Sequence, residues 1–248
     1  MCARRTRVVS LAPSATAALR AMDAAGTLVG VTAHCEYDDA PVVGGWLNVD
    51  TDALVERDPD VVLTSDALQR ELRDDLRDRG LDVHHREPAT LPDVFDSIAA
   101  VGEAVGRPDE GARLAERCRA RVERVREAVA GRDRPVVYCE EWSDPPMAAG
   151  NWVPDAVRAA GGRYPFVDPG DRSREVDPGE VPAADPDHAV LHVCGHGERS
   201  DPGVLDERGW NLDAAVHVLD DSLLNQPSPR LVDGVEALAR RLHGVDPG

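Results

Sequence analysis

Lysine is missing from the chain: all 28 basic side chains are arginine, set against 46 carboxylates for a formal net charge of −18 over 248 residues. Such a surface offers no positive face to a phosphate backbone, which excludes nucleic acid as a partner. No apolar run approaches the roughly 18 residues of a membrane-spanning helix, so no membrane span is expected. The opening MCARRTRVVSLAPS passes from arginines straight into a short apolar run that reads as a strand, without the apolar core of a secretory signal. With Cys2 and its arginines set directly against that strand, the chain as given is expected to work in the cytoplasm. An extracellular location would require a start site further upstream. Cysteine is scarce, at Cys2, Cys35, Cys118, Cys139 and Cys194, with no C-x-x-C pair. An odd number so spaced argues against a disulfide framework and for a reducing compartment. A G-x-S-x-G elbow, a P-loop and an H-E-x-x-H zinc motif are all lacking, so no catalytic residue and no catalytic cofactor is assigned. An acidic coat spread over the whole chain suits concentrated salt, where the screening length shrinks to about 3 Å at 1 M, and a halophilic source is expected.

What the chain does contain is a globular share of apolar residues, 42%. They fall in short valine-rich runs separated by longer helical patterns: RVVSLA, LVGVT, DVVLTS and LDVHH, then PVVYCEEW and HAVLHVCG. Runs this short and apolar on both faces predict parallel strands in α/β layers. The halves echo each other. Val8-Val9 corresponds to Val136-Val137 at an offset of 136 − 8 = 128, and Asp58-Pro59-Asp60 to Asp185-Pro186-Asp187 at 185 − 58 = 127. Each half also carries a helix running into Ala-Gly, at ALRAMDAAG and DAVRAAGG, where glycine can take the left-handed cap. Two similar α/β lobes are the economical reading, over residues 1–107 and 133–248; chance similarity of valine runs before turns is the alternative. Residues 108–132 join them. Pro108 suits a first helical turn, and Leu114, Cys118, Val122, Val125 and Val129 recur at spacings of three and four. That is the stripe of one helix of about 20 residues, roughly 30 Å long, acting as a strut or packed within one lobe.

In open parallel sheets ligands lie beyond the carboxyl ends of the strands, which here selects APSAT, AHCEY, TSDALQ, REPAT, EEWSDPP and CGHGER. Trp142 and Trp152 follow the first strand of the second half, where flat rings could hold a large apolar ligand beside Glu140, Glu141, Asp144 and Asn151. The plainer reading makes them caps on the core. HCEY, from His34 to Tyr37, could coordinate a metal, grip a polar cofactor or form a structural loop. HVCGH would set His192, Cys194 and His196 on one side of an extended strand, a soft donor set for zinc or cobalt, unless Gly195 and Gly197 break the strand. Glu140 and Glu141 are adjacent on a strand and so point to opposite faces, which disfavours acid–base cooperation. Ser10, Ser14 and Ser65 read as turn or cap residues.

RVVSLAPSAT, LVGVTAHCEYDDAP with the following VGG, DPDVVLTS, EEWSDPPMAAGNWVPDAVRAAGG, CGHGER and NQPSPRLVDGVEALARRLH, in this order, resemble the cobalamin-binding branch of the class III substrate-binding proteins. These are the vitamin B12 and iron-siderophore receptors of ABC importers. The resemblance implies two Rossmann-like lobes bridged by a rigid backbone helix, with ligand held between them and no chemistry done on it. By position the cleft is implied to be lined by Ser14, Cys35, Glu36, Tyr37, Trp46, Glu141, Trp142, Asp144, Asn151, Trp152, Cys194 and Arg230. Trp46, Trp142 and Trp152 would pack on the macrocycle, with Arg230 or Glu141 at its polar edge. Where the family commonly has aspartate after the HCEY cysteine and histidine before the second tryptophan, this chain has Glu36 and Asn151. The expected function is binding of cobalamin or a related corrinoid, with an ABC transporter or an intracellular corrinoid-handling protein as partner. Haem or a ferric siderophore on the same scaffold is the second reading. A metal-dependent enzyme using His34, His192, Cys194 or His196 is the third.

Overall fold

The computed structural model describes residues 6–247, so Cys2 lies outside the described residues. The chain divides into two compact units, one made of residues up to 88 with 95–117, the other of 89–94 with 118 onward.

The first unit runs β1 (Val8–Ser10), α1 (Pro13–Ala21), β2 (Leu28–Val31), α2 (Thr51–Val55), β3 (Val61–Ser65), α3 (Arg70–Asp78) and β4 (Val83–Arg86). Its four strands lie in the order β2-β1-β3-β4, every neighbouring pair parallel. The valine runs are buried on both faces, as parallel strands require, and Val9, Leu11, Val43, Leu54, Val62, Leu76 and Val83 form one core cluster. Strand order reverses beside β1, so the gap between the carboxyl ends of β1 and β3 is a topological switch point.

Then come α4 (Leu91–Ala104) and α5 (Pro108–Ala128). Pro108 opens α5, and the whole expected stripe of Leu114, Cys118, Val122, Val125 and Val129 is buried. The helix is unbroken across residues 117 and 118, where the chain passes from one unit to the other. It is shorter than the expected 108–132 because the turn beyond it contains Gly131 at φ 74°.

The second unit holds β5 (Val137–Ser143), β6 (Pro146–Ala148), α6 (Val153–Ala159), β7 (Arg174–Glu175), α7 (Glu180–Ala184), β8 (His188–Leu191), α8 (Val204–Glu207), β9 (Ala215–Val218) and α9 (Arg230–His243). Its sheet order is β7-β6-β5-β8-β9, with β5, β8 and β9 parallel and β6 and β7 antiparallel. All six expected runs form strands, and in each half the first pairs in parallel with the run after Asp-Pro-Asp. The repeat extends to atoms. The Asp60 carboxylate accepts from the Arg7 N–H at 2.8 Å and the Asp187 carboxylate from the Val136 N–H at 2.6 Å. Asp58 and Asp185 both turn left-handed, at φ 45° and 48°.

Three strands were not anticipated. The Pro145-Pro146 stretch is the start of β6: proline is tolerated at a first strand position because no ladder N–H is needed there. β7 has two residues, and β9 is a short edge run. The expected glycine cap holds for α6, where Gly161 has φ 85°, but fails for α1, which ends before Asp23 takes the left-handed turn at φ 55°. Aspartate tolerates that conformation, and the helix stops short of Gly26.

Candidate functional site

The strand-end loops of the first unit are held by one buried amide. Gln69, 0% exposed, donates from Nε2 to the Leu11 carbonyl (3.0 Å) and the Trp46 carbonyl (2.7 Å), while its Oε1 accepts from the Ser65 N–H at 2.9 Å. It thereby joins the β1–α1 turn, the loop carrying Trp46 and the end of β3. Three residues earlier Asp66 sits at φ 78°, ψ 147°, a region occupied almost solely by glycine, at a cost of about 1–3 kcal/mol. The Asp66 carboxylate accepts from the Leu68 N–H at 2.8 Å, and Leu68 is left 57% exposed. Trp46 is half-buried, and Leu47 is 49% exposed.

The HCEY segment divides three ways. His34 is exposed. Cys35 is buried in a polar knot, its Sγ 3.2 Å from Thr16 Oγ1 and 3.4 Å from Thr32 Oγ1, with Ser10 Oγ 2.9 Å from Thr16 Oγ1. Glu36 and Tyr37 line an acidic hollow of ≈ 580 Å³ with Arg20, Asp23, Asp38 and Asp39. Arg20, in the last turn of α1, donates to the Glu36 carbonyl at 2.8 Å and stands 3.8 Å from its carboxylate. That turn is about 12 Å from the start of α1 at the sheet's carboxyl edge. Ser14, in the first turn of α1, is buried.

In the second unit, Glu140 and Glu141 do take opposite sides of β5. Glu140, 0% exposed, accepts from Arg208 at 2.6 and 3.1 Å, from the Tyr138 hydroxyl at 2.9 Å and from Ser143 Oγ at 2.7 Å. Arg208 also lies over the Trp210 ring, 5.0 Å from its centre. This is a core ion pair, whose disruption from either end typically costs about 3–5 kcal/mol. Among the described residues no cation partners Glu141: burial pushes its carboxyl up from the ordinary value, with a hydrogen bond from Ser173 as the opposing influence. Ser173 Oγ also accepts from the Gly150 N–H at 2.9 Å.

The two tryptophans of EEWSDPPMAAGNW play different parts. Trp142 is 48% exposed, and its indole N–H donates to the Asp144 carbonyl at 2.8 Å, fixing the ring at the β5–β6 turn. Trp152 is 7% exposed, with its indole N–H on the Leu224 carbonyl at 2.7 Å, so it is packed into the second unit. Asp144 is exposed, and Asn151 takes a left-handed turn at φ 53° before α6. Arg230 begins α9, its N–H on Ser228 Oγ at 3.2 Å.

HVCGH does not stay extended. β8 ends at Leu191, and Gly195 and Gly197 turn left-handed at φ 76° and 56°. His192 is therefore fully buried with Nδ1 on Asn225 Oδ1 and Nε2 without a partner among the described residues, whereas Cys194 and His196 are exposed. Burial pulls the His192 imidazole down to about 4, and the Cys194 thiol is pushed up by burial and by Asp221. Among the described residues no group of three or more His, Cys, Asp or Glu side chains is placed to hold a metal.

Gln69, Ser173, Arg208 and Asn225 are the residues that the sequence reading missed. The one signal for Gln69 was its place in TSDALQ, directly after a strand; the others carry none, because their partners lie far along the chain.

A family model described as "Periplasmic binding protein" matches residues 8–217. The vitamin B12-binding protein of Vibrio cholerae serotype O1 is 25% identical, over 95% of this chain and 88% of the relative. The cobalamin-binding protein of Halobacterium salinarum is 27% identical, over 96% of this chain and 70% of its own. Among solved structures, the apo periplasmic haem-binding protein RhuT of Roseiflexus sp. RS-1 matches with a TM-score of 0.83 at 23% identity, covering 97% of this chain and 98% of that one. At that identity the likeness is one of fold.

Proposed function

The chain belongs to the periplasmic binding protein family, a family of binding proteins and not of enzymes, and from that premise we propose that it binds cobalamin or a related corrinoid. The observation that carries this reading is the similarity, over 95% and 96% of this chain, to two curated relatives, one named for vitamin B12 and one for cobalamin. The side chains supply a physical reason. A corrin is a large apolar disc rimmed by neutral amides, and an exposed, tethered Trp142 and a half-buried Trp46 give flat surfaces of the right kind. Glu141 and Asp144 put carboxyl groups at the end of β5, which suits amide donors and opposes the anionic edge of haem or a ferric siderophore. A transporter of the ABC class, or another corrinoid-handling protein, is the proposed recipient.

Titration with cyanocobalamin, followed by calorimetry and tryptophan quenching, tests the reading. Binding is expected, and Trp142→Ala is expected to weaken it about tenfold or more, since aromatic anchors dominate such interfaces. The haem reading is favoured by the fold match to a haem-binding protein. Haemin is therefore the competitor: binding of haemin with neither heat nor quenching from cyanocobalamin would replace the first reading by the second.

A further inference from the structure

We propose that Gln69 is the positioning residue of the ligand site in the first unit, holding Trp46, Leu47 and Leu68 at the surface as an apolar contact platform. The inference rests on the binding-protein reading and adds residues to it. Three observations converge on the clamp. The first is topological: Gln69 stands just beyond β3, beside the switch point between β1 and β3, where open parallel sheets take ligands. The second is chemical. A fully buried primary amide has two donors and one acceptor group to satisfy, and Gln69 places them on the Leu11 carbonyl, the Trp46 carbonyl and the Ser65 N–H. No two of those partners are neighbours in sequence, so the side chain does the joining that backbone hydrogen bonds do within an element. Without it, two carbonyls and one N–H of strand-end segments would lose the bonds that tie those segments together.

The third observation is strain. Asp66 is held at φ 78°, ψ 147°, which a residue with a side chain adopts only when its surroundings impose it. Two residues on, Leu68 is 57% exposed, while the next residue, Gln69, is buried at 0%. On the facing loop the clamp holds the Trp46 carbonyl, and the next side chain, Leu47, is 49% exposed. Leu68 and Leu47, each next in sequence to a residue that the clamp joins, are exposed, and with the half-buried Trp46 they offer apolar surface to the face of a planar ligand.

The test uses the full chain and two variants. Gln69→Leu removes all three hydrogen bonds at similar volume; Gln69→Glu keeps the acceptor for Ser65 and loses both donors. Hydrogen exchange is read at the Ser65 amide and across 44–49, and affinity is measured with cyanocobalamin, or with haemin if that is the chelate the wild type takes. Protection at Ser65 is expected to survive in Gln69→Glu and fall in Gln69→Leu. Exchange across 44–49 should rise in both, with affinity weakened about tenfold or more in both. Leu68→Ser, whose side chain is at the surface, is expected to weaken binding with exchange unchanged. Unaltered exchange across 44–49 in Gln69→Leu would overturn the clamp. Affinity retained in both Gln69 variants despite faster exchange would reduce Gln69 to a structural residue. Binding of haemin alone would sink the corrinoid reading and leave this proposal standing, whereas a wild type that takes neither chelate sinks both.

Discussion

His192 shows what burial does to a single side chain. Its ring is at the end of β8 with Nδ1 on Asn225, and desolvation holds it well below the ordinary histidine value of 6.5, at about 4. The folded state therefore keeps a neutral imidazole where the unfolded chain has already taken up a proton. This contribution to stability is complete above about pH 6.5 and is lost as pH falls towards 4, on the order of 3 kcal/mol in all. Urea denaturation at successive pH values is expected to show that acid slope, and His192→Asn to flatten it even if the variant is less stable throughout. A slope of equal steepness in the variant would assign the acid sensitivity to other groups. The same burial explains why HVCGH is not a donor row: one imidazole is enclosed and the other is on a turn.

At the scale of elements, α4 and α5 meet glycine to glycine. A Cβ on Gly102 would come within 2.6 Å of Gly111 Cα, and one on Gly111 within 2.8 Å of the Ala99 carbonyl oxygen. Alanine at Gly111 would improve helix propensity by about 1 kcal/mol, but the clash is with backbone, which cannot rotate away, and overpacking costs about 1–3 kcal/mol. The clash wins, so Gly111→Ala is expected to lower the melting temperature by several degrees. Gly131, past the end of α5 at φ 74° with nothing near its Cβ position, is a contrasting site where only the backbone conformation resists alanine. The apolar stripe of α5 and the valine runs were legible in the sequence because each follows a local period. The β5–β6 turn was not, since a proline pair carries the same local signal in a loop as at the start of a short strand.

For the whole molecule, charge is the dominant collective property. With 46 acidic against 28 basic side chains, self-repulsion opposes the folded state at low ionic strength. Thermal unfolding is expected to shift upward from dilute buffer to molar KCl, where the screening length falls to about 3 Å. A melting curve indifferent to KCl would remove the expectation of a halophilic protein. The internal repeat belongs to this scale as well. Its Asp-Pro-Asp markers make the same carboxylate bond to the strand beside them in each half, so the resemblance between halves is one of hydrogen bonding and not of valine content alone.

The α/β class, the six main strands, the long helix and the two-fold echo were settled by sequence, because periodicity and turn chemistry act over a few residues and leave a pattern in order. Which carboxylate is a core ion pair, which tryptophan is open, where HCEY points and what Gln69 holds were decided by tertiary structure alone. Each of those outcomes depends on a partner distant along the chain, such as Arg208 for Glu140 or Leu224 for Trp152, and on the water their meeting excludes.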